Sequence, residues 1–319
     1  MMKKRKFLFL TGILCGTLAL GGWTFFAKDM GSTNSKEVII TDEAVPLANS
    51  PAKVLVPSAP GTTVYQEKNV AMDASNTNQG YVMIKYSGQN QKIKVQIVKS
   101  SGTTYTYNLN ARNAYETFPL TDGNGTYSIK VFENISGTKY SQAFSKSISV
   151  KLANPYLPFL YPNQYVNFNA GSNTVKIGAQ ITKSTSDDLK KVELIYDYTV
   201  GHLTYDKAKA ASVQTGYLPD VDAVLASKKG ICFDYASVMA TMLRSQNIPC
   251  KLVVGYTGSL YHAWINVYTP ETGWVDGMIF FDGKKWQLMD PTLASSSKKS
   301  ESVMKYIGDS NNYTAKYIY

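Results

Sequence analysis

Histidine and cysteine are scarce in this sequence, which holds two histidines and three cysteines among 319 residues. No group of Cys, His, Asp and Glu has the spacing of a metal site, and no glycine loop of the phosphate-binding kind is present. These absences predict a protein that works without a metal and without a cofactor. Cys15 lies in an apolar N-terminal run, which leaves Cys232 and Cys250 in the remaining chain.

Charged residues are also few, at 18% against about 25% in ordinary globular domains. The formal net charge is +10, and the basic residues at positions 3–6 supply four of these charges. The remainder, 10 − 4 = +6, is spread along the chain without a basic cluster. Nucleic-acid binding needs such a cluster on one face, so we expect no nucleic-acid partner. A mildly basic chain suits an anionic cell wall or membrane surface.

The first 29 residues predict where the protein resides. A basic start is followed by residues 7–27, a run of 27 − 7 + 1 = 21 uncharged residues. This length fits either a signal peptide or a single membrane anchor, and the two alternatives stay open. Basic residues before the run place the remaining chain outside the membrane. We therefore expect an extracytoplasmic protein, secreted or anchored at the cell surface, with residues 30–64 as a polar, proline-bearing linker.

Residues 65–152 predict an all-β domain. Apolar and polar residues alternate in six short stretches: 80–87, 92–100, 103–110, 115–120, 126–134 and 141–152. Turn residues separate them, such as the DGNG sequence at 122–125. This spacing is typical of a β-sandwich of immunoglobulin or fibronectin style. We interpret the domain as a spacer or binding module and favour a purely structural role.

Helical patterns begin after the proline-rich break at 154–162, which marks a second domain at 153–319. The SDD sequence at 186–188 can cap a helix that extends to about Leu203. The stretch 217–225 predicts a turn that leads into a short helix. Helices that follow a run of strands indicate an α+β fold for the whole chain.

The next predicted helix begins just after Gly230 and ends before Pro249. An apolar stripe with helical spacing lies along it: Ala236, Met239, Ala240 and Leu243. Four strands are predicted after the helix, at 250–256, 261–268, 273–281 and 284–290. This part of the chain is therefore predicted as a helix followed by an antiparallel meander.

Three residues of this part form a candidate catalytic group: Cys232, His262 and Asp290. A thiol attacks carbonyl carbons only as the thiolate, and the positive end of a helix favours negative charge at Cys232. An imidazole completes the activation by accepting the thiol proton, and a carboxylate on its second nitrogen fixes the tautomer. Each residue is predicted on its own element, so we expect a thiol-dependent enzyme whose site is assembled by folding.

Alternation along the histidine strand adds an expectation about its two faces. His262, Trp264 and Asn266 point one way, and the apolar residues between them point toward the helix. The histidine face would then line a cleft. Trp264 could shield the imidazole from water, or it could serve ordinary packing.

The main alternative for Cys232 is a disulfide with Cys250. The helix between them has some 13 residues and rises about 1.5 Å per residue, so roughly 20 Å separates its ends. A disulfide needs Cα atoms within about 7 Å. We therefore expect both thiols to be free, with Cys250 as a small buried apolar residue. His202 has no cysteine or acidic cluster beside it and is predicted to be structural.

The sequence resembles the transglutaminase-like superfamily through three motifs: GICFDYA around Cys232, HAWINVY around His262 and WQLMDPT around Asp290. The resemblance covers about 185–295. It implies a papain-like core and a Cys-His-Asp triad that forms a thioester with an amide substrate. In that triad Cys232 is the nucleophile, His262 the general base and acid, and Asp290 the residue that orients the histidine.

The family often adds an upstream aromatic residue that helps to hold the oxyanion, and Tyr205 is the candidate by position, with Tyr217 as its rival. No calcium-binding segment resembling that of the animal enzymes is recognisable. The resemblance implies an extracytoplasmic acyltransferase or amidase that acts on protein or peptide amides, with a glutamine-type donor and an amine acceptor. Two alternatives stay open: a cysteine protease or peptide hydrolase of the same fold, and a non-catalytic cell-surface adaptor.

Overall fold

The computed structural model describes residues 54–319 except 101, 276–277, 282–285, 290–291, 293–294 and 296–309. Contacts along the chain group Pro46–Tyr319 as one compact unit. The predicted N-terminal segment 1–29 and most of the linker 30–64 lie outside the described residues. Among the residues described, no helix has the length and apolar character needed to cross a membrane.

Eight antiparallel strands make up the first part: β1 Val64–Glu67, β2 Val70–Asp73, β3 Tyr81–Tyr86, β4 Ile93–Lys99, β5 Thr104–Asn108, β6 Glu116–Pro119, β7 Gly125–Ser136 and β8 Lys139–Val150. They form two four-stranded sheets, in the orders β1-β2-β3-β6 and β5-β4-β7-β8. Strands β3 to β6 lie within their predicted stretches, and β7 and β8 extend beyond theirs by one or two residues. Strands β1 and β2 were not predicted; all four residues of β2 are buried, so it lacks the alternation of the other strands.

Alternation explains why these segments form strands. In β4, Ile93, Val95 and Ile97 are buried, whereas Lys94 and Gln96 between them are only partly covered. Successive side chains of a strand point to opposite faces, so one face of β4 enters the hydrophobic core. The likeness to an immunoglobulin or fibronectin sandwich and the domain boundary at 152 remain predictions.

Five α-helices follow: α1 Asn173–Thr182, α2 Asp188–His202, α3 Lys207–Ser212, α4 Val221–Ser227 and α5 Cys232–Ser245. Short 3₁₀ helices lie at Thr77–Gln79, Leu157–Phe159 and Ser310–Asn312. The predicted cap of α2 is confirmed, because the Asp187 side chain accepts a hydrogen bond from the Lys190 N–H at 3.0 Å. The start of α5 at Cys232 is also confirmed.

Helix α1 was not predicted from the sequence. Its first turn has no acidic residue, and it contains Gly178, a weak helix former. The structure explains the glycine, since a Cβ atom there would lie 3.1 Å from Cβ of Met242 on α5. Gly178 therefore allows α1 and α5 to approach closely, a reason that local sequence does not show.

The remaining strands surround α5. They are β9 Thr204–Tyr205, β10 Lys229–Gly230, β11 Cys250–Thr257, β12 Leu260–Thr269, β13 Gly273–Val275, β14 Met278–Phe281, β15 Trp286–Met289 and β16 Tyr313–Ile318. The main sheet has the order β13-β12-β11-β16, while β9 pairs with β10 and β14 with β15. The predicted meander is confirmed in β11, β12 and β13. Strand β16 was not predicted, and it pairs with β11.

An aromatic cluster joins the sheet of β5 to the beginning of α5. Tyr319 lies between Tyr107 of β5 and Tyr165, with ring centroids 5.9 and 4.3 Å away. Tyr165 in turn contacts Phe233, the residue after Cys232, at 5.6 Å. The hydrophobic core is thus continuous from the N-terminal sheets to the helix that carries the candidate nucleophile.

Gly255 of β11 is expected to be intolerant of a side chain. It lies opposite His262, and the β11–β16 register shifts at this point. A Cβ atom on Gly255 would overlap the main-chain oxygen of Thr314 in β16. We expect Gly255→Ala to lower the free energy of unfolding by about 2–3 kcal/mol, because backbone atoms must move. Urea unfolding measures this change.

The matched control is Gly201→Ala in α2. Gly201 is exposed, and a Cβ atom there would meet no atom within 4 Å. Alanine is the better helix former, so this variant is expected to be at least as stable as the wild type. Equal stability of the two alanine variants would contradict the steric argument.

Candidate active site

Cys232 is the first residue of α5, and its thiol is free and half-buried. The main-chain N–H groups of a helix's first turn and the helix dipole favour negative charge at this position. The thiol therefore lies where an attacking sulfur would be stabilised as an anion. This agrees with the placement predicted from the sequence.

Two short strands fix the chain just before Cys232. Strand β10 pairs in parallel with β9, which places Gly230 beside Tyr205, and the Asp206 N–H donates to the Gly230 carbonyl at 2.9 Å. A Cβ atom on Gly230 would lie only 2.7 Å from Cβ of Asp234. Tyr205 is half-buried against the core. The structure thus brings this predicted oxyanion residue next to the segment that leads into Cys232.

His262 is the third residue of β12 and is 3% exposed. The ring of Trp264, which is 4% exposed, lies nearly parallel to the imidazole at a centroid distance of 6.4 Å. Trp264 is itself covered by Tyr313 of β16 at 5.2 Å. The imidazole and the indole are therefore both nearly fully covered, and the cleft expected at this face remains a prediction.

The opposite face of β12 behaves as predicted. Ala263, Ile265 and Val267 belong to the hydrophobic core, and β12 packs on α5. The alternation of the strand thus directs the apolar side chains to the core and His262 to the other face.

Tyr261 is the second residue of β12. It immediately precedes His262, is 55% exposed and packs edge-to-face on Tyr256 at 5.4 Å. Burial raises the pKa of Tyr261, and the charges of Tyr317, Tyr256 and Cys232 contribute to the rise. Sequence reasoning did not single out this residue, which lies directly before His262.

Tyr217, the second predicted oxyanion residue, is engaged elsewhere. Its hydroxyl donates to Oδ1 of Asp234 at 2.5 Å and accepts from Nζ of Lys209 at 2.6 Å. Burial, followed by the hydrogen bond to Asp234, raises the pKa of Tyr217 above its ordinary value. The hydroxyl thus keeps its proton at neutral pH and gives it to the Asp234 carboxylate. Neither Lys209 nor Asp234 was identified from the sequence.

Asp290, the third residue of the predicted triad, lies outside the described residues. It would follow directly on β15, Trp286–Met289, which pairs with β14. Its role as the orienting carboxylate remains a prediction.

Cys250 and His202 have the surroundings expected of them. Cys250 is free and fully buried, and burial raises the pKa of its thiol to about 12. The disfavoured disulfide is therefore not formed. His202 lies at the end of α2, where Nε2 is 3.3 Å from the Leu225 carbonyl oxygen and the ring stacks on Tyr198 at 4.8 Å.

A cysteine that begins a buried helix, followed by a sheet that carries a histidine, is the arrangement of thiol-dependent enzymes with a transglutaminase-like or cysteine-protease-like α+β fold. Comparison with known families gives the same result. Residues 175–291 match the model of the transglutaminase-like superfamily. This segment belongs to that superfamily, as the three sequence motifs predicted.

Individual relatives match parts of this chain. YebA of Bacillus subtilis (strain 168) is 29% identical in an alignment over 118 residues that covers 31% of this chain and 16% of YebA. A protein-glutamine gamma-glutamyltransferase of Pseudomonas aeruginosa is 32% identical in an alignment over 68 residues that covers 17% of this chain and 10% of that protein. The chain thus matches less than a fifth of the length of each. The periplasmic domain of TgpA from P. aeruginosa superposes with a TM-score of 0.35 at 14% identity, covering 79% of this chain and 81% of that domain.

Proposed function

We propose that this protein is an extracytoplasmic acyltransferase that moves the acyl group of a glutamine-type amide to a primary amine through a thioester on Cys232. The observation that carries the proposal is the placement of Cys232 at the start of α5 and of His262 on β12, the strand that packs on α5. Both elements lie within the segment that matches the superfamily.

The first half-reaction forms the thioester. The Cys232 thiolate attacks the carboxamide carbon, and the carbonyl electron pair moves to oxygen. The Cys232 main-chain N–H and the Tyr205 hydroxyl are proposed to stabilise this oxyanion. The oxyanion then collapses, the C–N bond breaks, and His262 gives the proton taken from the thiol to the leaving ammonia. Asp290 is proposed to hold the imidazole in the productive tautomer.

The second half-reaction consumes the thioester. An amine nitrogen attacks the acyl carbon while His262 accepts its proton, and the C–S bond breaks to restore the thiol. Water in place of the amine would give hydrolysis instead. The cover over His262 and Trp264, which are 3% and 4% exposed, supports transfer, because a site that excludes water protects a thioester.

The location and the substrate class rest on the sequence. The basic start and the uncharged run at 7–27 support action outside the cytoplasm. The similarity to a protein named protein-glutamine gamma-glutamyltransferase supports a glutamine side chain of a protein or peptide as the donor. The net charge of +10 suits association with an anionic cell wall.

The test is incubation with a glutamine-containing peptide and a fluorescent primary amine. Incorporation of the amine into the peptide, with release of ammonia, supports the proposal. Release of ammonia without amine incorporation would show hydrolysis of the side-chain amide and contradict acyl transfer. Cleavage of the peptide would indicate a protease. The absence of all three products would favour the adaptor.

Selective alkylation provides an independent prediction about the nucleophile. We expect iodoacetamide at about pH 6 to modify Cys232 in the folded protein, since a thiolate reacts there and an ordinary thiol hardly does. Cys250 is expected to stay unmodified, because burial raises the pKa of its thiol to about 12 and blocks access. Peptide mass spectrometry identifies the modified residue.

The control for this labelling is the same reaction at pH 8.5 in concentrated denaturant, where Cys250 is expected to react as well. Lack of modification at Cys232 near pH 6 would count against an activated nucleophile and support the adaptor.

A further inference from the structure

Asp234 is a buried carboxylate in the first turn of α5, two residues after Cys232. It is 0% exposed and accepts three hydrogen bonds. The donors are the Ile231 N–H at 2.8 Å, the Tyr217 hydroxyl at 2.5 Å and the Lys209 ammonium at 2.7 Å. A buried carboxylate destabilises the fold unless it is paired with a cation and hydrogen-bonded, and Asp234 has both kinds of partner.

Lys209 supplies the positive charge for this carboxylate. It is on α3, its side chain is 27% exposed, and its ammonium also lies 4.3 Å from the centre of the Tyr217 ring. Two further ion pairs, Lys190–Glu193 and Lys191–Asp188, lie along α2. The pair Lys209–Asp234 differs from them because its carboxylate is fully buried and lies two residues after the candidate nucleophile.

Two anions at one helix start would repel each other. The positive end of α5 favours a thiolate on Cys232, but an uncompensated Asp234 carboxylate would occupy the same field and oppose the thiolate. An ammonium bound to the carboxylate cancels that opposition, while the carboxylate still holds the Ile231 N–H and fixes the chain before Cys232. The charge of Lys209 is thus coupled to the charge of Cys232 through Asp234.

We propose that Lys209 and Asp234 are positioning residues that set the reactivity of Cys232, Asp234 by fixing the beginning of α5 and Lys209 by neutralising Asp234. This inference rests on the proposed function for its biological meaning, but it is tested on the thiol alone. The titratable groups beside Cys232 on α5 and on the described elements around it are Asp234, Tyr235, Lys229, Tyr205, Asp206, Lys207, Lys209, Tyr217, Tyr261 and His262. Of these, Lys209 and Asp234 carry the fixed opposite charges that the test alters.

The experiment measures the rate of Cys232 alkylation by iodoacetamide against pH in the full-length protein. Lys209→Met leaves Asp234 uncompensated, so the midpoint pH of alkylation is expected to rise by about one unit. Asp234→Asn leaves Lys209 unpaired, so the midpoint is expected to fall by a similar amount. The double variant is expected to return toward the wild type, and Lys209→Arg, which keeps the charge, is expected to restore the wild-type profile.

The opposite signs separate this proposal from a merely structural role. Both single variants remove the same ion pair, so loosening of the helix start would move both midpoints in the same direction. Shifts of the same sign, or no shift, would overturn the proposal. Circular dichroism verifies that each variant is folded. If Lys209→Met does not fold, Asp234→Asn decides alone, and a midpoint at or above that of the wild type overturns the proposal.

This outcome is distinguishable from failure of the proposed function. Alkylation midpoints report on the thiol whether or not a substrate is turned over. Opposite shifts without amine incorporation would support the charge coupling and contradict the proposed acyltransferase activity. Amine incorporation without opposite shifts would support the acyltransferase activity and overturn the charge coupling.

Discussion

Replacement of Cys232 by alanine is expected to abolish amine incorporation, with a loss of at least about 10³-fold in rate. The reason is chemical, because the thioester cannot form without the sulfur and no other nucleophile is proposed at the start of α5. The measurement is the initial rate of fluorescent amine transfer to a glutamine-containing peptide. The variant is expected to fold, since Cys232 is half-buried at a helix end and alanine is a good helix residue.

Cys250→Ala is the matched control for the loss of a thiol. Cys250 is fully buried in β11, so this variant loses core packing and some stability but keeps the candidate site. It is expected to retain amine transfer. Equal losses of amine-transfer rate in the two variants would show that Cys232 contributes to folding and is not the nucleophile.

Replacement of Arg244 by methionine is expected to lower the free energy of unfolding by about 3 kcal/mol. Arg244 is 1% exposed near the end of α5, and burial lowers the pKa of its guanidinium to about 10, so it is charged at neutral pH. It donates to the main-chain oxygens of Cys250, Tyr161 and Tyr319 at 2.7–3.0 Å. Methionine fills a similar volume but leaves these buried oxygens without their donor.

Urea unfolding at neutral pH measures this effect, with Lys190→Met as the control. Lys190 pairs with Glu193 on the surface of α2, where its side chain is 49% exposed, and exposed pairs contribute less than about 1 kcal/mol. An Arg244→Met variant no less stable than Lys190→Met would show that the carbonyl oxygens find other partners. We expect the Arg244 variant to be the less stable of the two, because a buried oxygen that loses its donor cannot form a hydrogen bond with water instead.

Elements with a strong period or a clear cap were predictable from the sequence. Strand β4 was recognised from Ile93, Val95 and Ile97, and α2 from the acidic cap at Asp187. The same reasoning placed Cys232 at the start of α5. These signals depend on residues only a few positions apart, so they can be read without the partner elements.

Elements whose reason lies in a distant contact were missed. Helix α1 tolerates Gly178 because Met242 packs against it, and β16 is a strand because it pairs with β11. Tyr217 was proposed as an oxyanion donor from its position alone. Its hydroxyl is bound by Asp234, 17 residues away in sequence.

The sequence by itself determined the resemblance to one superfamily of thiol-dependent enzymes, since Cys232 at a predicted helix start, His262 on a predicted strand and Asp290 each lie in one of its three motifs. Only the tertiary structure decided how that helix start is held. The Lys209–Asp234 pair spans 25 residues of sequence, and His262 is 3% exposed in the folded chain. The physical reason is that caps and alternation act locally, whereas burial and charge compensation arise only when distant segments pack together.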